Sequence, residues 1–134
     1  MFERSVLGDV DPEARYAIDS IQTKQTSSRP YAPFITSSMQ MSASNALGLT
    51  ASRTMNLAQR LYEGLAIPGE GHVGLITDMR TDATYVAPEA LNSVRDYISK
   101  EFGESYLPEK PKFFGSTNKN AQEAHECIRP TDVS

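Results

Sequence analysis

The sequence predicts an α+β domain, rich in helix and with a small β-sheet. Three observations predict it. Two helical apolar stripes are separated only by Leu47-Gly48-Leu49-Thr50. A third helical stripe lies between Pro88 and Gly103. Short apolar runs such as Val73 to Thr77, bounded by loop residues, fit strands of few residues.

Residues 1 to 14 are acidic, contain proline and glycine, lack periodicity and read as a frayed lead-in. Arg15 to Thr23 alternates loosely, with Tyr16, Ile18 and Ser20 on one side, and reads as a short strand. Gln25 to Pro33 is a Ser/Pro linker. Residues 1–31 are thus lead-in, strand and linker, and residues 32–134 form the main domain.

Helix one is expected from Ser37, whose pairing with Gln40 has the capping-box spacing that satisfies two free N–H groups at a helix start. Met39, Ala43, Ala46 and Leu47 form its stripe, and Gly48 ends it by tolerating the left-handed conformation. Thr50 caps helix two, where Ala51, Met55, Ala58, Leu61, Tyr62 and Leu65 recur at three- and four-residue steps. The short join makes the two a helix-turn-helix pair. Ile67 to Gly71 is a loop and Val73 to Thr77 a strand. Helix three starts at Pro88, runs to about Phe102 and turns Leu91, Val94, Ile98 and Phe102 inward. Ala87 is a poor N-cap, costing about 1 kcal/mol against serine. Ser105 to Lys119 is a loop. Asn120 and Glu123 form a second capping-box pair, opening a short helix that holds His125.

The 134 residues are expected to form one domain, and 39% hydrophobic with 22% charged residues is ordinary for a soluble one. No apolar run approaches a membrane-spanning length, and Met1-Phe2-Glu3-Arg4 does not begin a signal peptide. Cys127 is alone, so no internal disulfide can form, which fits a reducing cytoplasm. The two histidines and one cysteine have no zinc-ligand spacing. The net charge of −4 weighs against nucleic-acid binding by charge alone. Its distribution is uneven: residues 21 to 60 carry Lys24, Arg29, Arg53 and Arg60 with no acid. Phosphate contact is therefore expected in the middle of the chain.

Four blocks carry more specific information. They are Ala32-Pro33-Phe34-Ile35-Thr36-Ser37-Ser38-Met39-Gln40, Ala58-Gln59-Arg60-Leu61-Tyr62-Glu63-Gly64, Gly74 to Thr84 (GLITDMRTDAT), and Asn120 to Asp132 (NAQEAHECIRPTD). In this order they resemble blocks of the type IA DNA topoisomerases, the bacterial topoisomerase I class. In that family the third block carries a tyrosine that attacks a DNA phosphodiester and holds the broken strand as a 5′-phosphotyrosyl ester. Asp78 stands at that tyrosine's position, Ala83 where a serine is usual, and Cys127 where alanine is usual.

The resemblance implies a winged-helix-like (CAP-like) domain around the helix-turn-helix. It implies a fragment or solo domain, because the family's acidic metal-binding domain has no counterpart in these residues. Magnesium is expected only in the full-length enzyme, and no cofactor in this chain. Single-stranded DNA and the remaining topoisomerase domains are the implied partners, with no membrane.

Gln59 and Glu63 lie four apart and share one helical face. Spacing alone makes them a solvated pair; the resemblance makes them lining of a DNA site, with Gln59 a DNA contact and Glu63 a catalytic residue beside Arg80 and the Asp78 position. Arg80 lies two residues beyond Asp78, so an extended segment puts both side chains on one face, where a guanidinium fork matches phosphate oxygens. The plainer reading is a surface arginine paired with Asp78 or Asp82. Thr77, Thr81 and His125 are candidate DNA contacts, and Asp82 is expected to accept hydrogen bonds within the turn.

Asp78 removes the central step. A carboxylate at about 4 Å from a phosphate repels it by roughly 1 kcal/mol in water and about 4 kcal/mol at effective dielectric 20. The expected function is a single-strand-binding topoisomerase module that is inactive as it stands. The alternatives are a non-enzymatic protein-interaction domain keeping the fold, and an inert fragment.

Overall fold

The computed structural model describes residues 11–115 and 125–134. The chain divides into two units, Met1–Pro30 and Tyr31–Ser134. In the first, the described residues form one turn, closed by the Ala14 N–H on the Asp11 carbonyl, and then extended chain without regular structure. The strand expected over Arg15 to Thr23 does not form. Tyr16, Ile18 and Ile21 are 74 to 80% exposed, and among the described residues no neighbouring strand supplies hydrogen bonds to the backbone. Alternation without a partner is insufficient, since a strand is stabilised across the ladder.

Among its described residues the second unit contains three helices and one hairpin: α1 (Thr36–Leu47), α2 (Ala51–Glu63), β1 (Leu65–Ile67), β2 (Gly71–Val73) and α3 (Pro88–Phe102). A single 3-10 turn, Glu104–Tyr106, follows α3. The architecture is α+β, with α1 packed on α2.

Helix α1 begins one residue earlier than the Ser37–Gln40 pair suggested. Ser38 reaches back instead, its Oγ accepting from the Ile35 N–H at 3.0 Å. Thr36 opens the helix and bonds across the fold. Its N–H donates to the Thr81 carbonyl at 3.0 Å and its hydroxyl to the Met79 carbonyl at 2.7 Å. Met39 and Ala43 are half-buried, whereas Ala46 and Leu47 are exposed. Gly48, at φ 65°, ends α1 as expected, donating to the carbonyls of Ala43 and Ser44. Thr50 caps α2 by accepting the Arg53 N–H at 3.1 Å.

Leu65 leaves the helical stripe to which its spacing assigned it. Gly64 stops α2 at φ 113°, a conformation that residues with a Cβ rarely adopt, and a Cβ there would sit 2.8 Å from the His72 ring. The chain turns into β1, which pairs antiparallel with β2: Leu65 with Val73, Ala66 with His72, Ile67 with Gly71. The strand expected over Val73 to Thr77 is thus shifted. Strand β2 ends at Val73, and Ile76 makes only an isolated antiparallel bridge to Pro130.

Ala58, Met79 and Ile128 form the buried cluster, with Met39, Met55 and Ile76 packed against it. Ala83 and Cys127 are fully buried. Burial suits the small apolar residue at Ala83, since a hydroxyl there would need its own partner. Helix α3 has no buried residue, and Phe102 is 58% exposed, its ring edge-on to Tyr97 and tilted against Tyr106.

The segment 126–131 is the strap that closes the domain. Cys127 donates to the Tyr85 carbonyl, Ile128 to Phe34, Thr77 to Arg129, and Thr131 to Leu75, at 2.8 to 3.1 Å. His125 lies in irregular chain, outside any helix; the expected helix start at Asn120 and Glu123 lies outside the described residues.

Between β2 and the Asp78 segment, Gly74 permits a close approach. A Cβ on Gly74 would meet the Tyr62 carbonyl oxygen at 2.8 Å, and the next residue, Leu75, donates to the Leu61 carbonyl at 2.8 Å. That bond satisfies one of the carbonyls left free at the end of α2. Gly74→Ala is expected to destabilise the domain by about 1–3 kcal/mol, because backbone must shift. Gly115→Ala, with nothing within 4 Å of its Cβ, should leave the melting temperature unchanged. Equal melting of both variants and the parent would show that the close approach carries no constraint.

Candidate nucleic-acid interface

The segment Thr77 to Thr81 is held at alternate residues. The Thr77 hydroxyl donates to the Cys127 carbonyl at 2.7 Å and accepts the Arg129 N–H at 3.0 Å. Met79 is 2% exposed, and its carbonyl accepts from Thr36. Thr81 donates its N–H to the Thr36 hydroxyl at 3.0 Å, and its own hydroxyl accepts the Ala83 N–H at 3.1 Å. With Thr77, Met79 and Thr81 turned into the scaffold, Asp78 and Arg80 face solvent together.

They pair directly. Arg80 donates from Nε to Asp78 Oδ1 at 3.2 Å, from Nη2 to Oδ2 at 3.2 Å, and from its backbone N–H to Oδ1 at 2.9 Å. The two side chains are 63% and 44% exposed. The two-residue spacing thus places them on one face, and of the acids beside Arg80 it is Asp78 that binds it. The Arg80 side-chain bond, then its backbone bond, hold the Asp78 carboxyl below the usual carboxylate range; slight burial opposes them. The charges of Arg80 and His125 lower it further, which places His125 within electrostatic reach of Asp78.

Gln59 and Glu63 share a face of α2 as their spacing required, with Gln59 Nε2 donating to Glu63 Oε1 at 2.5 Å. Among the described residues no hydrogen bond joins this pair to Asp78 and Arg80. Tyr62 is the residue that the spacing misassigned. Placed on the apolar stripe by periodicity, it is 39% exposed and lies within electrostatic reach of Arg80. Its partial match to the stripe hid it; its position beside Glu63 in the second block was the available signal.

Asp82 is exposed and accepts no hydrogen bond from the described residues; the Thr81 hydroxyl makes the turn's side-chain bond instead. The hydroxyls of Thr77 and Thr81 serve the scaffold. Glu126 and Arg129 form a second ion pair, Nε to Oε1 at 2.6 Å and Nη2 to Oε2 at 3.2 Å. Glu126 Oε1 also accepts the Ala87 N–H at 3.0 Å, supplying the cap to α3 that Ala87 lacks. Among the described residues, no three His, Cys, Asp or Glu side chains are placed to hold a metal ion. No described helix is long and apolar enough to cross a membrane.

Comparison with known proteins follows this geometry closely. A family model described as DNA topoisomerase matches residues 3–134. DNA topoisomerase 1 of Helicobacter pylori is 52% identical over 130 residues, covering 97% of this chain and 17% of that protein. DNA topoisomerase 1 of Haemophilus influenzae is 53% identical over 118 residues, 88% of this chain and 12% of that protein. The solved full-length topoisomerase I of Thermotoga maritima superposes with a TM-score of 0.63 at 41% identity, over 78% of this chain and 15% of that one. The chain therefore spans less than a fifth of the length of these relatives. With its sequence blocks, its fold and nearly its whole length matched, the chain belongs to the bacterial DNA topoisomerase I family.

Proposed function

We propose that this chain is a strand-handling module of a type IA DNA topoisomerase, binding single-stranded DNA but not cleaving it as it stands. The observation that carries the reading is the residue at the nucleophile position. Asp78 lies on an exposed, rigidly held segment, with Arg80 on the same face. DNA topoisomerase relatives over nearly the whole chain support DNA as the partner, and the type IA resemblance implies the reaction class, ATP-independent strand cleavage and religation.

In this reading Arg80 and His125 contact the DNA backbone, and Gln59 and Glu63 line the neighbouring face of α2. Thr77 and Thr81 contribute to DNA binding by fixing the segment that presents Arg80. The α1–α2 pair, followed at once by the β1–β2 hairpin, supports a winged-helix-like arrangement. Cleavage needs a group that can attack phosphorus and carry the strand, and Asp78 is a short carboxylate already bound to a cation. Magnesium chemistry, as the family resemblance implies it, is assigned to the rest of the full-length enzyme. The cytoplasm is the proposed compartment, as expected of a protein acting on bacterial DNA.

A second reading, a protein-interaction domain, draws on one feature. An apolar groove of about 1340 Å³ runs between α1, α3 and the strap, lined by residues such as Phe34, Met41, Val86 and Val94. The remaining domains of a full-length topoisomerase are its proposed occupant.

Fluorescence anisotropy of a labelled oligothymidylate at low and high salt separates the readings. Weak binding that falls with salt, and falls severalfold further on Arg80→Ala, is expected. Denaturing electrophoresis should show no covalent adduct. Absent binding at low salt would favour the interaction domain, and an adduct band would overturn the claim of inactivity.

A further inference from the structure

We infer that Arg80 forms an anion site whose present occupant is the chain's own Asp78, so that Asp78 competes with phosphate for it. The inference rests on the DNA-binding reading only for the identity of the phosphate. The geometry itself describes the site. Three N–H donors of one residue, two from the guanidinium fork and one from the backbone, converge on two carboxylate oxygens at 2.9 to 3.2 Å. Two oxygens of a phosphate group have the same acceptor character, and guanidinium recognises both groups in the same forked manner.

The donors are not otherwise used. Among the described residues no other acceptor bonds the Arg80 side chain, which is 63% exposed. Nor does the site need Asp78 for its shape, because Met79 and Thr81 are fixed by Thr36 and Thr77 by the strap. Removing the carboxylate should leave the donors in place and exposed. His125, within electrostatic reach of Asp78, then adds favourable charge toward an incoming phosphate when protonated. Asp78 thus acts as an internal competitor as well as a lost nucleophile. A phosphate must displace it from Arg80 and then bear its charge.

The test uses the full chain with Asp78→Ala, Arg80→Ala and the double variant, after melting curves confirm that all fold. Labelled oligothymidylate should bind Asp78→Ala about tenfold tighter than the parent, about 1.4 kcal/mol. The double variant should lose that gain. In nuclear magnetic resonance spectra, the Arg80 Nε–H of Asp78→Ala should shift on titration with inorganic phosphate at concentrations about tenfold below those that move the parent signal. Equal oligonucleotide binding by parent and Asp78→Ala, or a gain that survives in the double variant, would overturn the inference. If no variant binds the oligonucleotide but inorganic phosphate still shifts Arg80 in Asp78→Ala at those lower concentrations, the anion site stands and the DNA reading fails. An unshifted Arg80 in that variant overturns the site itself.

Discussion

Asp78→Tyr is expected to restore strand cleavage, but only where the rest of a topoisomerase is present. In the isolated chain the tyrosine should yield no covalent adduct, because the proposed reading assigns the rest of the reaction to other parts of a full-length topoisomerase. Placed in a full-length relative such as the Helicobacter pylori enzyme, in exchange for the matching segment, the tyrosine form should give a phosphotyrosyl adduct on denaturing electrophoresis. The Asp78 form should not. The difference should reach about four orders of magnitude or more, the scale on which enzymes with covalent intermediates depend on their nucleophile. In the isolated chain, the same change removes one negative charge, frees Arg80 and adds a ring on which a base can stack. Single-strand binding should tighten by about 1–3 kcal/mol. The ion pair lost in exchange is exposed to solvent, so its loss should change stability little. If tyrosine instead lowers the melting temperature strongly and leaves DNA binding unchanged, Asp78 belongs to a repurposed scaffold, and the disabled-enzyme reading fails.

Local chemistry was the part of this fold that could be read from sequence. Thr50, Gly48, Pro88 and Gly103 mark helix ends because a cap or a positive φ is decided within a few residues. Gln59 with Glu63, and Asp78 with Arg80, were legible for the same reason: the spacing alone puts each pair on one face. What depended on distant partners was not legible. Thr36 rather than Ser37 starts α1, because its bonds run to Met79 and Thr81, more than forty residues away in sequence. The strap pairs Thr77 with Cys127, fifty residues apart, and leaves no periodicity to find. Leu65 continued a helical stripe in spacing, yet Gly64, at φ 113° and close under the His72 ring, ended the helix before it. The Arg15 to Thr23 strand failed for want of a neighbour. The stripe of α3, with no residue fully buried, and Leu47 at 71% exposure, are apolar faces whose periodicity was real but which the described residues leave partly exposed.

Glu126→Gln should loosen the strap, and its effect should depend on pH. The parent carboxylate binds Arg129 twice and takes the Ala87 N–H at the start of α3, so one side chain ties the strap to a helix end. Burial raises the Glu126 carboxyl; the Arg129 hydrogen bond, the Ala87 N–H and the Arg129 charge outweigh it and leave it below the usual range. A carboxyl lowered in the folded state binds its proton more readily when unfolded. Its contribution is therefore complete above the ordinary glutamate range, about 4.3, and is lost as the pH falls through the lower folded value. Glutamine keeps the shape and loses the charge, so the variant should lose about 1–3 kcal/mol at neutral pH. Side chains about one quarter exposed temper the upper end of that range. Urea titrations at neutral and acid pH should show the gap between parent and variant closing on acidification. Asp78 and Asp132 also sit below their usual range, but both are present in parent and variant, so their acid response cancels in the difference. A gap that stays constant down to pH values well below the glutamate range would mean that Glu126 acts through packing alone, and that its charge does not hold the strap to α3.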